Sequence, residues 1–306
     1  MRSPTRILII GFGDIGERVA RQLVGRHAVT ALVRDADGAR RAGSLGVQPL
    51  RGDLGCPESL RKLAGRADVV FHFAPPPGEG TRDTHTRHLL SALTCGGTST
   101  TAMRAGMLSQ HLPRRLVYIS TTGVYGDCRG EWIDETHPLK PATGRARRRV
   151  DAERRLRVWG RRNGVAVSIL RAPGIYAADR LPLERLRQGT AVLNADDDVF
   201  TNHIHAHDLA RAAIAAMRRG KPGRIYNVVD DSVLPMADYF DSVADAFGLS
   251  RPPRISRPEA AARLSPALMS FMSESRRIRN QRLKRELRFA LDYPTVNDFL
   301  RELRQG

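Results

Sequence analysis

Residues 6–16 read "RILIIGFGDIG", and this stretch decides the fold. A run of apolar residues rich in isoleucine predicts a buried strand, and Gly11, Gly13 and Gly16 follow it in GxGxxG spacing. The next residues, "GERVARQLVGR" at 16–26, predict a helix. The glycine spacing alone is a weak signal, but between a strand and a helix it predicts a dinucleotide-binding turn. The first glycine permits the tight turn, the second lets a pyrophosphate approach the backbone, and the third allows the helix to pack closely on the strand.

Further along the chain, short apolar runs alternate with helical segments, which predicts a doubly wound parallel sheet covered on both faces. The α/β fold class follows from this pattern. We expect the sheet domain to comprise residues 1–174 and 201–230, and a smaller C-terminal α/β lobe that binds substrate to comprise residues 175–200 and 231–306. Within that lobe "ADYFDSVADAFGL" (237–249) and "SFMSESRRIRNQRLKREL" (270–287) read as helical, whereas "PPPGEG" (75–80) and "GGTSTT" (96–101) read as loops.

The predicted second strand ends in Arg34 and Asp35. An acidic residue at this tip binds the adenosine ribose hydroxyls, whereas an arginine pairs with a 2′-phosphate, so the order of the two favours NADP over NAD. Asp53 closes the third strand and is a candidate for the adenine edge, with a turn or helix-cap role as the alternative. The full set of predicted cofactor-binding residues is Gly11, Gly13, Asp14, Ile15, Gly16, Arg34, Asp53, Leu54 and Ala74.

The formal net charge is +18, which by itself favours acidic partners such as nucleic acid. However, the basic residues are almost all arginine and are scattered, and no nucleic-acid docking motif accompanies them, so we expect no nucleic-acid partner. Three cysteines without metal-ligand spacing predict reduced thiols and a cytoplasmic location. The first apolar run stops at Gly11 and no later run is long enough to span a bilayer, so we expect no membrane association.

Seven motifs occur in an order that resembles the extended short-chain dehydrogenase/reductases, in the NAD-dependent epimerase/dehydratase family. They are "GFGDIG" (11–16), "RGDL" (51–54), "VVFHFA" (69–74), "VYISTTGVYGD" (117–127), "ILRAPGIY" (169–176), "NHIHAHDLA" (202–210) and "IYNVVDD" (225–231). The resemblance covers most of the chain. It implies an NAD(P)-binding Rossmann domain with a smaller substrate lobe, a substrate that is often a nucleotide sugar, and a homodimer.

Active members of that family carry a serine or threonine after the strand and a Tyr-x-x-x-Lys pair on the next helix. Aligned on "VYG" and on "DAE", this chain has Thr121 at the hydroxyl position, Arg145 at the tyrosine and Arg149 at the lysine. Arginine stays protonated, so Arg145 cannot replace a tyrosine that gives and takes a proton. The fixed fork of Arg149 still suits a ribose or an oxyanion. The resemblance therefore implies an atypical member that lacks the pair.

In "GRARRRVDAE" (144–153) and the residues after it, helical spacing places Arg145, Arg149 and then Ala152, Leu156 and Trp159 on one stripe. That stripe is apolar beyond the two arginines, so we expect Arg145 and Arg149 to point toward the cleft, and we expect Arg147, Arg148, Arg154 and Arg155 to be solvated. The alternative is that all of these arginines are solvated.

Two functions remain open on the sequence. The first is an epimerase/dehydratase-like oxidoreductase that exchanges a hydride with a sugar-nucleotide-like or other hydroxy or keto substrate, with Tyr125, Tyr176 or ordered water as proton donor. The second is a non-catalytic NAD(P)-binding sensor or scaffold. His203, His205 and His207 alternate, but they read as the opening of a helix, so no metal is expected.

Overall fold

The computed structural model describes residues 4–94 and 112–305, so the predicted loop at 96–101 lies outside the described residues. The strands are β1 (Arg6–Ile10), β2 (Ala28–Val33), β3 (Gln48–Arg51), β4 (Val69–His72), β5 (Arg115–Thr121), β6 (Trp132–Ile133), β7 (Ala166–Ala172), β8 (Gly174–Tyr176), β9 (Val192–Leu193), β10 (Phe200–Thr201), β11 (His203–His205), β12 (Arg224–Asn227), β13 (Leu234–Pro235), β14 (Arg254–Ile255) and β15 (Arg277–Ile278). The α-helices are α1 (Asp14–Leu23), α2 (Ala36–Ser44), α3 (Thr84–Thr94), α4 (Gly144–Asn163), α5 (Leu183–Arg187), α6 (Ala206–Arg219), α7 (Met236–Ala246), α8 (Arg257–Arg263), α9 (Pro266–Phe271), α10 (Gln281–Glu286) and α11 (Val296–Gln305).

Seven of these strands form one parallel sheet in the order β12-β7-β5-β4-β1-β2-β3. The inner strands, such as β1, β4 and β5, are buried almost throughout because helices cover both faces of the sheet, whereas the edge strand β3 is largely exposed. Helices α1, α2 and α6 pack on one face, and α3 and α4 pack on the other. The prediction of a doubly wound parallel sheet is confirmed. The order reverses between β1 and β4, and a crevice at such a reversal, outside the carboxyl ends of the strands, is where open α/β sheets bind ligands.

A separate apolar core joins the segment around β8, α5 and β9 to helices α7 and α11. Side chains from Tyr176 to Val199 meet side chains from Met236 to Leu300 there, which is the arrangement expected for a lobe built from discontinuous segments. Leu283, Leu287 and Phe289 pack instead into the core of the large sheet. The domain boundaries given above stay a prediction.

One predicted helix is wrong. Residues 270–287 do not form one helix, because α9 ends at Phe271 and the chain then forms the two-residue strand β15 before α10 begins. Strand β15 pairs with β6, so the backbone hydrogen bonds of this segment go to another strand. Residues 57–63, between β3 and β4, form a 3₁₀ helix.

Helix α6 begins at Ala206, and His203 to His205 precede it as a strand paired with β8. Within residues 4–94 and 112–305, no helix is long and apolar enough to cross a membrane.

Candidate active site and cofactor crevice

The glycine loop connects β1 to α1 at the reversal of the sheet. Gly11 has φ +94°, a conformation that L side chains rarely adopt, and a Cβ there would collide with the backbone of Ala74. A Cβ on Gly16 would lie 2.6 Å from the carbonyl oxygen of Gly11, so only glycine lets α1 pack this closely. At Gly13 the position of a Cβ is open, with no atom within 4 Å among the described residues. The loop therefore has two glycines required by packing and one that faces free space.

The N-terminus of α1 opens toward this free space. Gly13 is its N-cap and provides no side chain to accept from the first N–H groups. Such a helix end attracts an anion through its unpaired N–H groups and its dipole. Ile15 is buried in the core of the sheet, so only its backbone can serve a ligand.

The carboxylate of Asp14 is held by two arginines. Arg18, one turn along α1, donates to Oδ1 at 2.6 Å, and Arg180 pairs with Oδ2 at 3.2 Å. Arg180 belongs to the turn after β8, so this ion pair ties that turn to the start of α1.

Three arginines surround Asp35 at the carboxyl ends of β2 and β3. Asp35 is the N-cap of α2 and accepts from the backbone N–H of Gly38 at 2.7 Å. This bond holds the pKa of Asp35 below its usual value, and the positive charges of Arg34, Arg41 and Arg51 lower it further. The acidic side chain thus caps the helix, and three exposed arginines add positive charge beside it, of which Arg41 also pairs with Glu17 at 3.1 Å.

The other predicted cofactor residues line the same edge with differing exposure. Asp53 is exposed, and its Oδ1 accepts from the backbone N–H of Gly55 at 2.7 Å, which is the turn role considered as the alternative. Leu54 is buried, with its carbonyl oxygen 2.7 Å from Nδ1 of His88. Ala74 donates its backbone N–H to the carbonyl oxygen of Ile10 and forms the wall opposite Gly11. A cofactor contact by any of these residues stays a prediction.

Thr121, Arg145 and Arg149 line one cleft of about 540 Å³ between the end of the sheet and the second core. Thr121 is the last residue of β5, and its Oγ1 accepts from the backbone N–H of Gly123 at 3.2 Å. Because Oγ1 is the acceptor in this bond, its proton remains available to a ligand in the cleft. The structure brings these three side chains together, and their catalytic role stays a prediction.

Arg149 is half-buried and anchored by one terminal nitrogen. Its Nη1 donates to the Tyr118 hydroxyl and to the carbonyl oxygen of Ile119, both at 2.9 Å. Among the described residues no carboxylate lies within 4 Å of this guanidinium, and no acceptor pairs with its other two nitrogens. Burial raises the pKa of Tyr118 to about 12, although the charge of Arg149 acts in the opposite direction. The tyrosine is thus a neutral, fully buried support for Arg149.

Helix α4 supplies two of the arginines that line the cleft, Arg145 and Arg149. Thr143 caps it by accepting from the backbone N–H of Ala146 at 3.1 Å. The prediction that Arg148 is solvated is wrong: this side chain is buried, and its Nη1 donates to the carbonyl oxygen of Gly80 in the loop at 75–80. The long arginine stem packs against the protein while its head group satisfies the loop backbone, which the periodicity of a polar helix does not reveal.

A buried polar network fixes the end of β5 next to Thr121. Arg171 on β7 donates to Glu153 on α4 through Nε at 3.1 Å and through Nη2 at 2.7 Å, and both side chains are buried. Ser120 donates to the same carboxylate at 2.6 Å. The guanidinium of Arg171 also lies 4.7 Å from the ring centroid of Tyr125. This network ties three elements of the sheet domain together beneath the cleft.

The two tyrosines predicted as alternative proton donors do not reach the cleft. Tyr125 is fully buried and donates to Oδ1 of Asn227 at 2.7 Å. Tyr176 is also buried, beside Asp230, and burial raises its pKa far above the usual value. Neither lines the cleft, so the structure does not bring either tyrosine together with Thr121, Arg145 and Arg149, and a role as proton donor stays a prediction. Tyr125 lies in the turn after β5 and Tyr176 is the last residue of β8, and both phenol rings are packed inside the protein.

Sequence reasoning missed the groups on the other wall of the cleft. His203 and Tyr239 line it with their rings stacked at 4.2 Å, and Thr201 Oγ1 lies 3.5 Å from Nε2 of His203. Burial lowers the pKa of His203 to about 4, so its imidazole is neutral at neutral pH. Glu274 and Arg276 pair at 2.7 Å on the same wall. The "HIHAH" motif is the sequence signal for this wall, and the prediction that these histidines open a helix is wrong for His203, which lies in strand β11 ahead of the helix.

Comparison with known proteins gives relatives that agree with this architecture. The model of the NAD-dependent epimerase/dehydratase family matches residues 7–228. A 4-hydroxy-2-methyl-3-oxo-4-farnesyl-3,4-dihydroquinoline-1-oxide ketoreductase of Stigmatella aurantiaca is 27% identical over 248 residues, which cover 78% of this chain and 72% of the relative.

Two solved structures extend the likeness to almost the whole chain. A functionally unknown conserved protein of Silicibacter pomeroyi is 29% identical with a TM-score of 0.76, and 98% of each chain is covered. A double mutant of the dTDP-glucose 4,6-dehydratase DesIV of Streptomyces venezuelae, with NAD bound, is 19% identical with a TM-score of 0.74, covering 98% of this chain and 97% of that one. With the family model matched over most of its length, this chain belongs to the NAD-dependent epimerase/dehydratase family.

Proposed function

We propose that this protein is an NADP(H)-dependent oxidoreductase that interconverts a hydroxyl and a carbonyl group in the cleft at Thr121, without the usual tyrosine. The observation that carries the proposal is the glycine loop. Its second glycine faces open space at the N-terminus of α1, in line with the crevice where the sheet order reverses. A substrate of the sugar-nucleotide type, or another hydroxy or keto compound, suits a cleft of this size.

The cofactor preference rests on the corner around Asp35. A ribose-binding acid must offer its carboxylate to two hydroxyls, but Asp35 already caps α2. Arg34, Arg41 and Arg51 provide the positive charge that a 2′-phosphate needs. When bound, the nicotinamide supplies or accepts the hydride.

Within the cleft, Thr121 would donate its hydroxyl proton to the substrate oxygen and orient it. Arg149, fixed through Nη1, would present its remaining nitrogens to the cofactor ribose or to the substrate. For proton transfer we assign His203, which lines the cleft with Nε2 3.5 Å from the Thr201 hydroxyl. Because burial lowers its pKa to about 4, it would act as a relay that takes up a proton at one ring nitrogen as it gives one up at the other, and not as a base that holds the proton. His203→Gln is then expected to lower kcat by about 100-fold or more.

Titration of the purified protein with NADPH and NADH tests the proposal through the fluorescence of the reduced nicotinamide. We expect saturable binding of both, with NADPH the tighter, and loss of that preference in Arg34→Gln. A panel of ketones and hydroxy compounds, nucleotide sugars included, is then screened for NADPH oxidation or NADP reduction. Absence of saturable binding of either nucleotide would refute the proposal.

The second candidate is a non-catalytic NADP-binding sensor or scaffold. It is favoured by Arg145 at the tyrosine position together with the burial of Tyr125 and Tyr176. Tight binding of NADPH with no turnover across the panel would support it over the enzyme. A homodimer, expected from the family, stays a prediction.

A further inference from the structure

We propose that the cleft holds an oxyanion of the substrate, a carboxylate or a phosphate, between Arg145 and Arg149. That this anion belongs to a substrate rests on the proposed function. The binding of the anion itself depends only on the cleft.

The charge of the cleft wall is the first observation. Its described lining includes the guanidinium groups of Arg145, Arg149, Arg185 and Arg276, and one carboxylate, that of Glu274. Glu274 is already paired with Arg276 at 2.7 Å. The lining therefore carries three net positive charges, and low-dielectric walls concentrate such a field on an anion inside the cleft.

The geometry of Arg149 is the second observation. Two hydrogen bonds from Nη1, to Tyr118 and Ile119, immobilise the guanidinium, and its cation also lies 5.4 Å from the centroid of the Tyr118 ring. Neither of these two supports carries a negative charge at neutral pH. A half-buried arginine that is fixed in place without a carboxylate among the described residues is a preorganised donor for an oxyanion.

The helix that carries both residues is the third observation. The first turn of α4 has no acidic side chain and contains Arg145, one residue after the helix begins. Cations at a helix N-terminus repel the positive end of the helix dipole, and an anion bound there offsets that cost. Arg145 and Arg149 are one turn apart, so their guanidinium groups lie on the same face of α4 and both line the cleft.

These observations change the interpretation of the missing tyrosine. In the resembling enzymes the residues at these two positions act on the reacting oxygen and the ribose. Here the same positions hold two cations, so the substrate would place a negatively charged group close to the carbon that changes oxidation state. A hydroxy or oxo acid, or a phosphorylated analogue, has this chemistry.

Calorimetric titration at low ionic strength tests the site with three probes: malonate, inorganic phosphate and the neutral diamide malonamide. We expect malonate or phosphate to bind and malonamide not to bind. Tighter malonate identifies a carboxylate as the natural group, and tighter phosphate identifies a phosphorylated substrate. Arg145→Gln and Arg149→Gln should each lower the affinity for the anion by about tenfold or more, because each removes charge-assisted hydrogen bonds.

Arg147→Gln is the matched control, since Arg147 is exposed on the same helix and does not line the cleft. It should change the affinity by less than about twofold. Arg149→Gln also loses the bonds to Tyr118 and Ile119, so its thermal unfolding midpoint is measured alongside. Arg145 is exposed, and its variant is expected to fold normally.

The proposal is overturned if malonamide binds as well as malonate, if neither anion binds, or if Arg145→Gln binds anions as tightly as the natural protein. The same titrations are repeated with NADP added at saturating concentration. If the protein binds no NADP but still binds anions in a way that depends on Arg145, the proposed function is refuted and the anion site stands.

Discussion

The ion pair between Glu153 and Arg171 connects α4 to β7, and we expect the stability of the protein to fall sharply when only one of its two partners is replaced. Its side chains are 4% and 2% exposed, and two hydrogen bonds of 3.1 and 2.7 Å join them. One donor, Nη1 of Arg171, has no acceptor among the described residues. The pair therefore combines strong mutual attraction with a high desolvation cost, and its net contribution to stability is expected to be small.

Breaking the pair from one side has a different effect. Glu153→Gln keeps the shape and an acceptor for Ser120 but leaves Arg171 buried without a counterion. Arg171→Met leaves the carboxylate with Ser120 as its remaining side-chain donor. We expect each single change to cost about 3–5 kcal/mol. The double variant leaves no buried charge, and it should cost less than either single variant.

Thermal unfolding monitored by circular dichroism measures these differences. At about 2–4 °C per kcal/mol for a chain of this class, each single variant should lower the midpoint by roughly 6–20 °C. The double variant should recover most of that loss. A double variant that lost as much stability as the two single variants together would refute the reasoning, because additive losses would show that the two charges do not depend on each other.

Three further outcomes follow from the site. Burial raises the pKa of Asp230 from 3.8 to about 8, so the natural protein should lose stability as the pH rises from about 4 to about 8. The Asp230→Asn variant should lack this loss: in thermal unfolding it should match the natural protein at acid pH and be more stable by up to about 5 kcal/mol at about pH 9. Gly11→Ala should destabilise the fold by about 1–3 kcal/mol because of the positive φ and the contact with the Ala74 backbone. Gly13→Ala should have the same thermal unfolding midpoint as the natural protein but should bind NADPH about tenfold or more weakly in a fluorescence titration. In Arg145→Tyr/Arg149→Lys, which restores the family pair, NADPH oxidation with neutral ketones should rise by about tenfold or more while turnover of oxo acids falls; an unchanged ratio between the two substrate classes would contradict the roles given to these arginines.

The parts of the molecule that local pattern determines were predictable from sequence. Continuous apolar strands separated by helices specify the parallel sheet, and the conformational demands on Gly11 and Gly16 specify the loop after β1. Helical spacing also brought Arg145 and Arg149 to one face of α4, where both line the cleft.

The opposite wall of the cleft was not predictable in the same way. His203, Tyr239 and Glu274 come from three segments that meet only when the second core forms, and no short-range pattern records that meeting. The burial of Arg148 has the same origin, since its acceptor, the carbonyl of Gly80, is 68 residues away in the chain. Residues 270–287 were misread because their helical composition gives way to a pairing with β6, which depends on tertiary contact.

The bond from Arg148 to the loop at 75–80 has a consequence for the thermodynamics of ligand capture. Three consecutive prolines already restrict the backbone dihedrals of this loop, which borders the crevice after β4, and Arg148 fixes its far end at Gly80. Much of the conformational entropy that a flexible loop would lose on closing over a ligand has thus been lost during folding. Nucleotide binding should accordingly show a small entropic penalty. The Arg148→Ala variant, in which the loop is released, should show a larger entropic penalty even where its contacts with the ligand are unchanged.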